Sequence, residues 1–185
     1  MARTRSEESR QAILEAALAL ARDRGYGKLT VDALAAEAGV GKQTLYRWWG
    51  SLGEIVLEAL REHARTIPAP ETGSLEGDVE AFLRGTFRVA AGPKGTARIL
   101  KGLMAEAQLD ESFAPKFAEF ITERRAALRS VVQRHVPSSP RGEAEAIVDM
   151  LFGAMWYRML VGHAPIDAAF ATMLAKLVAR CRGVQ

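Results

Sequence analysis

The chain has 185 residues, 49% of them apolar, and a formal net charge of +3. That length supports one large domain or two small ones with a real core, and no apolar run is long enough to span a bilayer. The single cysteine, Cys181, cannot form an internal bridge, which excludes a disulfide scaffold and fits a reducing cytoplasm.

Taken in order, every segment reads as helix, so the expected fold class is all-α with about nine helices. The first helix runs from about Glu7 to Arg24. Ile13, Ala16, Ala17 and Leu20 form its apolar face, Glu15, Arg22 and Asp23 make it amphipathic rather than a signal peptide, and Gly25 stops it. Thr30 is a good N-cap for a short second helix, with Asp32 favourable near its positive dipole end, and Gly39 ends it. A third helix covers Lys42 to Trp48. Ser51 and Glu54 form a capping box that opens a fourth, reaching about Arg65. Ile67 to Gly73, rich in Pro, is the clearest linker. Further helices follow near Ser74–Ala91, Gly95–Gln108, Pro115–His135, Glu143–Val161 and Asp167–Arg182, punctuated by Gly92-Pro93, Pro137 to Pro140 and Pro165. Pro115 suits the first turn of a new helix, with Asp110-Glu111-Ser112 as a capped prelude.

The most informative stretch is Ala35 to Glu54. A helix-turn-helix needs a small residue where its helices approach and a left-handed residue in the turn, and Ala35 and Gly39 supply them. Leu34, Val40 and Leu45 are placed to fill the core beneath. Lys42, Gln43, Thr44, Arg47 and Trp48 then point outward, with Tyr46 flanking, and their amide, hydroxyl and cationic groups suit base edges and phosphates. Adjacent aromatics on so short a helix cannot all be buried. Trp49 is expected to plug the core between the first and fourth helices, leaving Tyr46 and Trp48 near the surface. A plain helical hairpin with a glycine turn also satisfies the small-residue spacing; the aromatic end and the capped helix after it favour DNA binding. Charge gives a weak footprint. Residues 1–65 hold ten Lys/Arg against nine Asp/Glu, but Ala38 through Leu52 carries no acid, and Arg3, Arg5 and Arg10 lie at the start of the first helix.

LTVDALAAEAGVGKQTLYRWWGSLGEIVLEAL resembles the DNA-binding signature of the tetracycline-repressor (TetR) family of bacterial transcriptional regulators, over about Ile13 to Leu60. PETGSLEGD, RRAALRSVV and YRMLVGHAPID resemble, more weakly, one branch of its C-terminal domains, the branch whose recognition helix ends YRRW. The resemblance implies a helix-turn-helix domain over 1–50, a linking helix over 51–66, and a helical ligand-binding and dimerisation domain over 74–185. It implies base contacts by Lys42, Gln43 and Thr44, backbone contacts by Thr30, Thr44 and Tyr46, and Trp48 in place of a frequent histidine. Two positions depart from the pattern. Gly41 stands where serine often caps the third helix. Leu52 stands where a lysine usually touches phosphate, which implies a flatter salt dependence unless Arg47 compensates.

The expected partners are a double-stranded DNA operator, a second copy of the chain and a small-molecule effector, with no membrane and no cofactor. Phe87, Met104, Phe117, Phe120, Phe152, Met155, Trp156 and Met159 are soft, large apolar residues of the C-terminal part. Each taken singly fits ordinary core; as a group they are the expected wall of a pocket for an apolar or planar effector. Arg88, Arg98, Glu106 and Arg158 either orient a polar group on it or are surface charges. The last two helices carry the expected dimer interface, with Ile147, Leu151 and Ala154 on one stripe and Phe170, Leu174 and Leu177 on the other. An enzyme is not expected. His63, His135 and His163 lie far apart in sequence, no HExxH or GxSxG occurs, and Gly92-Pro93-Lys94-Gly95 lacks the spacing of a phosphate loop.

Overall fold

The computed structural model describes residues 2–136 and 141–182, with the side chains of residues 2–5, 141 and 182 excepted. The expected loop Pro137 to Pro140 and the side chains of Arg3 and Arg5 therefore lie outside the described residues. Among the described residues the fold is all-α: α1 (Ala2–Arg24), α2 (Val31–Glu37), α3 (Lys42–Trp48), α4 (Leu52–Ala64), α5 (Leu75–Ala91), α6 (Ala97–Leu109), α7 (Ala114–Gln133), α8 (Arg141–Val161) and α9 (Ala168–Arg182), with a 3-10 turn at Tyr26–Lys28. α1 begins earlier than its apolar pattern suggests. No Gly or Pro interrupts that polar first part, and the pairs Glu7–Arg10 and Gln11–Glu15 support it at helical spacing.

Packing divides the chain into two compact units, one of residues 1–65 and 96–120, the other of 66–95 and 121–185. The boundary does not follow the Pro-rich linker alone, because α6 and the first turns of α7 pack with α1–α4.

In the first unit α1 packs on α4, α2 and α6. Ile13, Ala17, Leu34, Leu45, Val56, Ile99 and Leu103 are fully enclosed, each large side chain contributing roughly 2 kcal/mol of burial. α6 comes close to the 3-10 turn because Gly102 leaves room for Tyr26. A Cβ there would fall 2.6 Å from the Tyr26 ring. The Tyr26 hydroxyl donates to Glu106, and burial, followed by that carboxylate, pushes the phenol well above its usual range.

In the second unit α5 and α9 pack most extensively. The core holds Val79, Phe82, Leu83, Leu128, Val131, Val148 and Leu151. Ser74 caps α5, accepting from Gly77 N–H at 3.0 Å. Asp78, one turn on, is 1% exposed. It accepts from the Thr72 N–H, the Thr72 hydroxyl at 2.8 Å, Arg134 at 3.2 Å and His135 at 2.7 Å. Burial alone raises such a carboxyl, but these donors outweigh it and hold Asp78 far below the usual range.

Candidate nucleic-acid interface

α2 starts because Thr30, in extended conformation, turns its hydroxyl onto Ala33 N–H at 3.2 Å. It stops where Gly39 takes φ +64, a left-handed conformation that side chains with a Cβ rarely adopt. Val40 N–H closes the turn onto the Ala35 carbonyl at 3.0 Å. Gly41 caps α3 without a side chain, and Leu45, fully buried, anchors the middle of that helix.

The end of α3 is fastened by Trp49. Its ring is buried, and its indole N–H donates at 2.5 Å to Glu58 of α4, which also receives Arg10 of α1. Trp48 meets Trp49 edge to face at 5.4 Å, and the Arg47 guanidinium lies over the Trp48 ring at 5.2 Å. Ser51 caps α4 by accepting from Glu54 N–H at 3.2 Å. The Glu54 carboxylate reaches Gly50 N–H at 3.3 Å rather than that of Ser51, so the capping box is completed one residue early.

This framework leaves Thr30, Gly41, Lys42, Gln43, Tyr46 and Arg47 exposed, with Thr44 and Trp48 half-buried. All belong to α2–α3 and the residues bounding them. Val40 is half-buried rather than enclosed, and Leu52 is the half-buried first residue of α4. One partner was not anticipated from the sequence: Lys42 is ion-paired with Asp32 in the first turn of α2. The hydrogen bond to that carboxylate, then its charge, raises the Lys42 ammonium above its usual range.

The residues expected to wall an effector pocket divide between the units. Met104, Phe117 and Phe120 belong to the first, where Phe113, Phe117 and Phe120 form a row of rings 6.4 and 6.2 Å apart. Phe87, Phe152, Met155, Trp156 and Met159 belong to the second. Phe87 stacks on Phe170 at 5.7 Å and also borders an open depression of about 290 Å³ shared with Arg84, Arg88 and Ile166. Two polar groups missed by the sequence reading lie in the same unit: Arg124, its guanidinium 5.5 Å from the Phe82 ring, and Thr86, whose buried hydroxyl has no hydrogen-bond partner among the described residues.

The residues of the expected dimer stripe differ in burial within the chain. Ile147, Leu151 and Phe170 are buried within their own unit, with Arg158 stacked on Phe170 at 3.3 Å, and Ala154 and Leu174 are half-buried. Of that set Leu177 is exposed. The outward apolar residues are Met150, Tyr157, Leu160 and Val161 on α8, and Met173 with Leu177 on α9. Both helices are apolar on two faces, and helical spacing does not say which face the chain covers itself.

No helix among the described residues is long and apolar enough to cross a membrane, and no group of His, Cys, Asp or Glu among them could hold a metal ion.

Residues 13–59 match the family described as bacterial regulatory proteins, tetR family, and residues 69–178 match the tetracyclin repressor-like C-terminal domain. The chain is 29% identical over 164 residues to the uncharacterized HTH-type transcriptional regulator YdeS of Bacillus subtilis, covering 86% of this chain and 82% of YdeS. It is 28% identical over 149 residues to the HTH-type transcriptional regulator AqdR of Rhodococcus erythropolis, covering 80% and 70%. The crystal structure of the TetR family transcription regulator SCO0332 superposes with a TM-score of 0.77 at 30% identity, over 92% of this chain and 96% of that one. With a helix-turn-helix at one end and a matching helical domain after it, this chain is a member of the TetR family of bacterial transcriptional regulators.

Proposed function

We propose that the chain is a ligand-responsive repressor in the cytoplasm that binds an inverted-repeat operator as a homodimer and is released by a small apolar or planar effector. Residues 1–50 read DNA, 51–66 link, and 74–185 bind the effector and dimerise. The observation that carries the reading is α3 itself. It is fixed from behind by Leu45 and Trp49 while Lys42, Gln43, Tyr46 and Arg47 stay exposed. Lys42, Gln43 and Thr44 read bases; Thr30, Gly41, Tyr46, Arg47 and Trp48 meet the backbone. The chain belongs to the branch whose recognition helix ends YRRW.

The dimer forms through the outward face of α8 and α9. Ala146, Met150, Gly153, Tyr157 and Leu160 follow one another at alternating four- and three-residue spacing, all exposed and none charged. A surface stripe of that length is covered by a partner helix in a stable regulator. The effector is held in the second unit, where Phe152, Met155, Trp156 and Met159 supply an apolar wall.

Binding to DNA flanking the chain's own gene tests the reading. A labelled fragment should be retained against excess competitor with two chains per site. Gln43→Ala and Tyr46→Ala should each weaken retention roughly tenfold, as loss of a base or backbone contact does, and Leu52→Lys should steepen the salt dependence by about one ion per chain. Retention indifferent to both alanine variants removes α3 from the interface.

A further inference from the structure

Between Thr30 and Trp49 the two helices of the candidate interface carry two cations, Lys42 and Arg47, and two acids, Asp32 and Glu37. Lys42 is the first residue of α3, and its ammonium is held by the Asp32 carboxylate across the turn. Both side chains are more than half exposed, at 54% and 74%, so the pair lies in solvent, where ion pairs add little to stability. A structural role therefore explains it poorly.

Its consequence for DNA is larger. Sequence-independent affinity comes from cations that displace counterions at phosphates. An ammonium already neutralised by a neighbouring carboxylate releases none, and moving it to a phosphate leaves that carboxylate facing the same negative backbone. A base edge poses a different problem. An ammonium has three donors, so Lys42 can keep one on Asp32 and present the others to the two acceptors of a guanine.

Resting on the reading of α3 as the recognition helix, we infer that Asp32 is a specificity-determining residue of the interface: by holding Lys42 it suppresses binding to arbitrary DNA and points the ammonium at a base. Asp32 itself touches no DNA; it acts through Lys42.

The test measures anisotropy of two labelled duplexes, the fragment flanking the chain's own gene and a scrambled duplex of the same composition, between 50 and 300 mM salt. Asp32→Asn should tighten the scrambled duplex roughly five- to tenfold near 0.1 M salt and steepen its salt slope by about one per chain. Affinity for the flanking fragment should change by no more than about twofold, so the ratio between the duplexes falls. Asp32→Glu, which keeps the charge, should behave as the unaltered chain does. Lys42→Gln should weaken the flanking fragment but leave the scrambled one within about twofold, and should cancel the gain when combined with Asp32→Asn. Unchanged scrambled affinity and slope in Asp32→Asn, or equal tightening of both duplexes, overturns the role of Asp32. An unaltered chain that does not distinguish the two duplexes overturns the operator reading itself, and this inference with it.

Discussion

Each unit uses one carboxylate to fix a segment that helical packing alone would leave loose, and the two solutions differ in depth. In the first, Glu58 receives the Trp49 indole and Arg10, fastening the end of α3, with its side chain still 24% exposed. In the second, Asp78 receives Thr72 twice, Arg134 and His135, fastening the end of the Pro-rich linker, and is 1% exposed. Depth decides the cost of failure. Water can take the place of a partly exposed acceptor more readily than that of an enclosed one, and losing Asp78 leaves four donated hydrogen bonds unmade where losing Glu58 leaves two.

The sharpest way to break the comparison is Asp78→Ala. It should destabilise the chain by about 3 kcal/mol, since four hydrogen bonds donated to one enclosed carboxylate are lost together, measured as a lower urea midpoint with an unchanged slope. The same carboxyl sets an acid limit. Its proton affinity in the fold is depressed below its ordinary value of 3.8, so its contribution is complete above that value and lost as pH falls through and below it.

Glu58→Gln should cost less, about 1.5 kcal/mol, as expected for charge-assisted hydrogen bonds at a partly hydrated site. It should also weaken DNA binding and shift tryptophan emission to the red as Trp49 loosens. If it costs as much as Asp78→Ala, burial does not separate the two sites.

The smallest effect belongs to His63. Burial, then the nearby Arg22 guanidinium 3.2 Å away, lowers its affinity for a proton below the ordinary value of 6.5. The unfolded chain therefore binds more protons than the folded one just below pH 6.5, and stability falls as pH drops through that range. His63→Gln should flatten this part of a stability–pH curve and leave the decline near Asp78 in place.

Local chemistry made most of the first unit legible. Thr30, Gly39, Ser51 and Pro115 act within a few residues of themselves, and each has its expected place. What sequence did not disclose depends on partners brought together by folding. Asp32 reads as a favourable acid at a helix start, and nothing in its spacing points to Lys42 beyond a turn. Asp78 likewise stands in the first turn of a helix, and its partners Arg134 and His135 lie 56 and 57 residues on. Burial on α8 has a related cause: Ile147 and Met150 both belong to apolar stripes of that helix, and only packing decides that Ile147 is inside.

The Trp48–Trp49 pair also gives the molecule its own optical reporter. Of the three tryptophans, two stand edge to face where α3 ends, one half-buried and one enclosed, and the third, Trp156, belongs to the other unit. Replacing Trp156 with phenylalanine leaves an indole signal that arises wholly at the end of α3. Occupancy by DNA and release from it then become readable in solution without a dye, from the same rings that hold the helix in place.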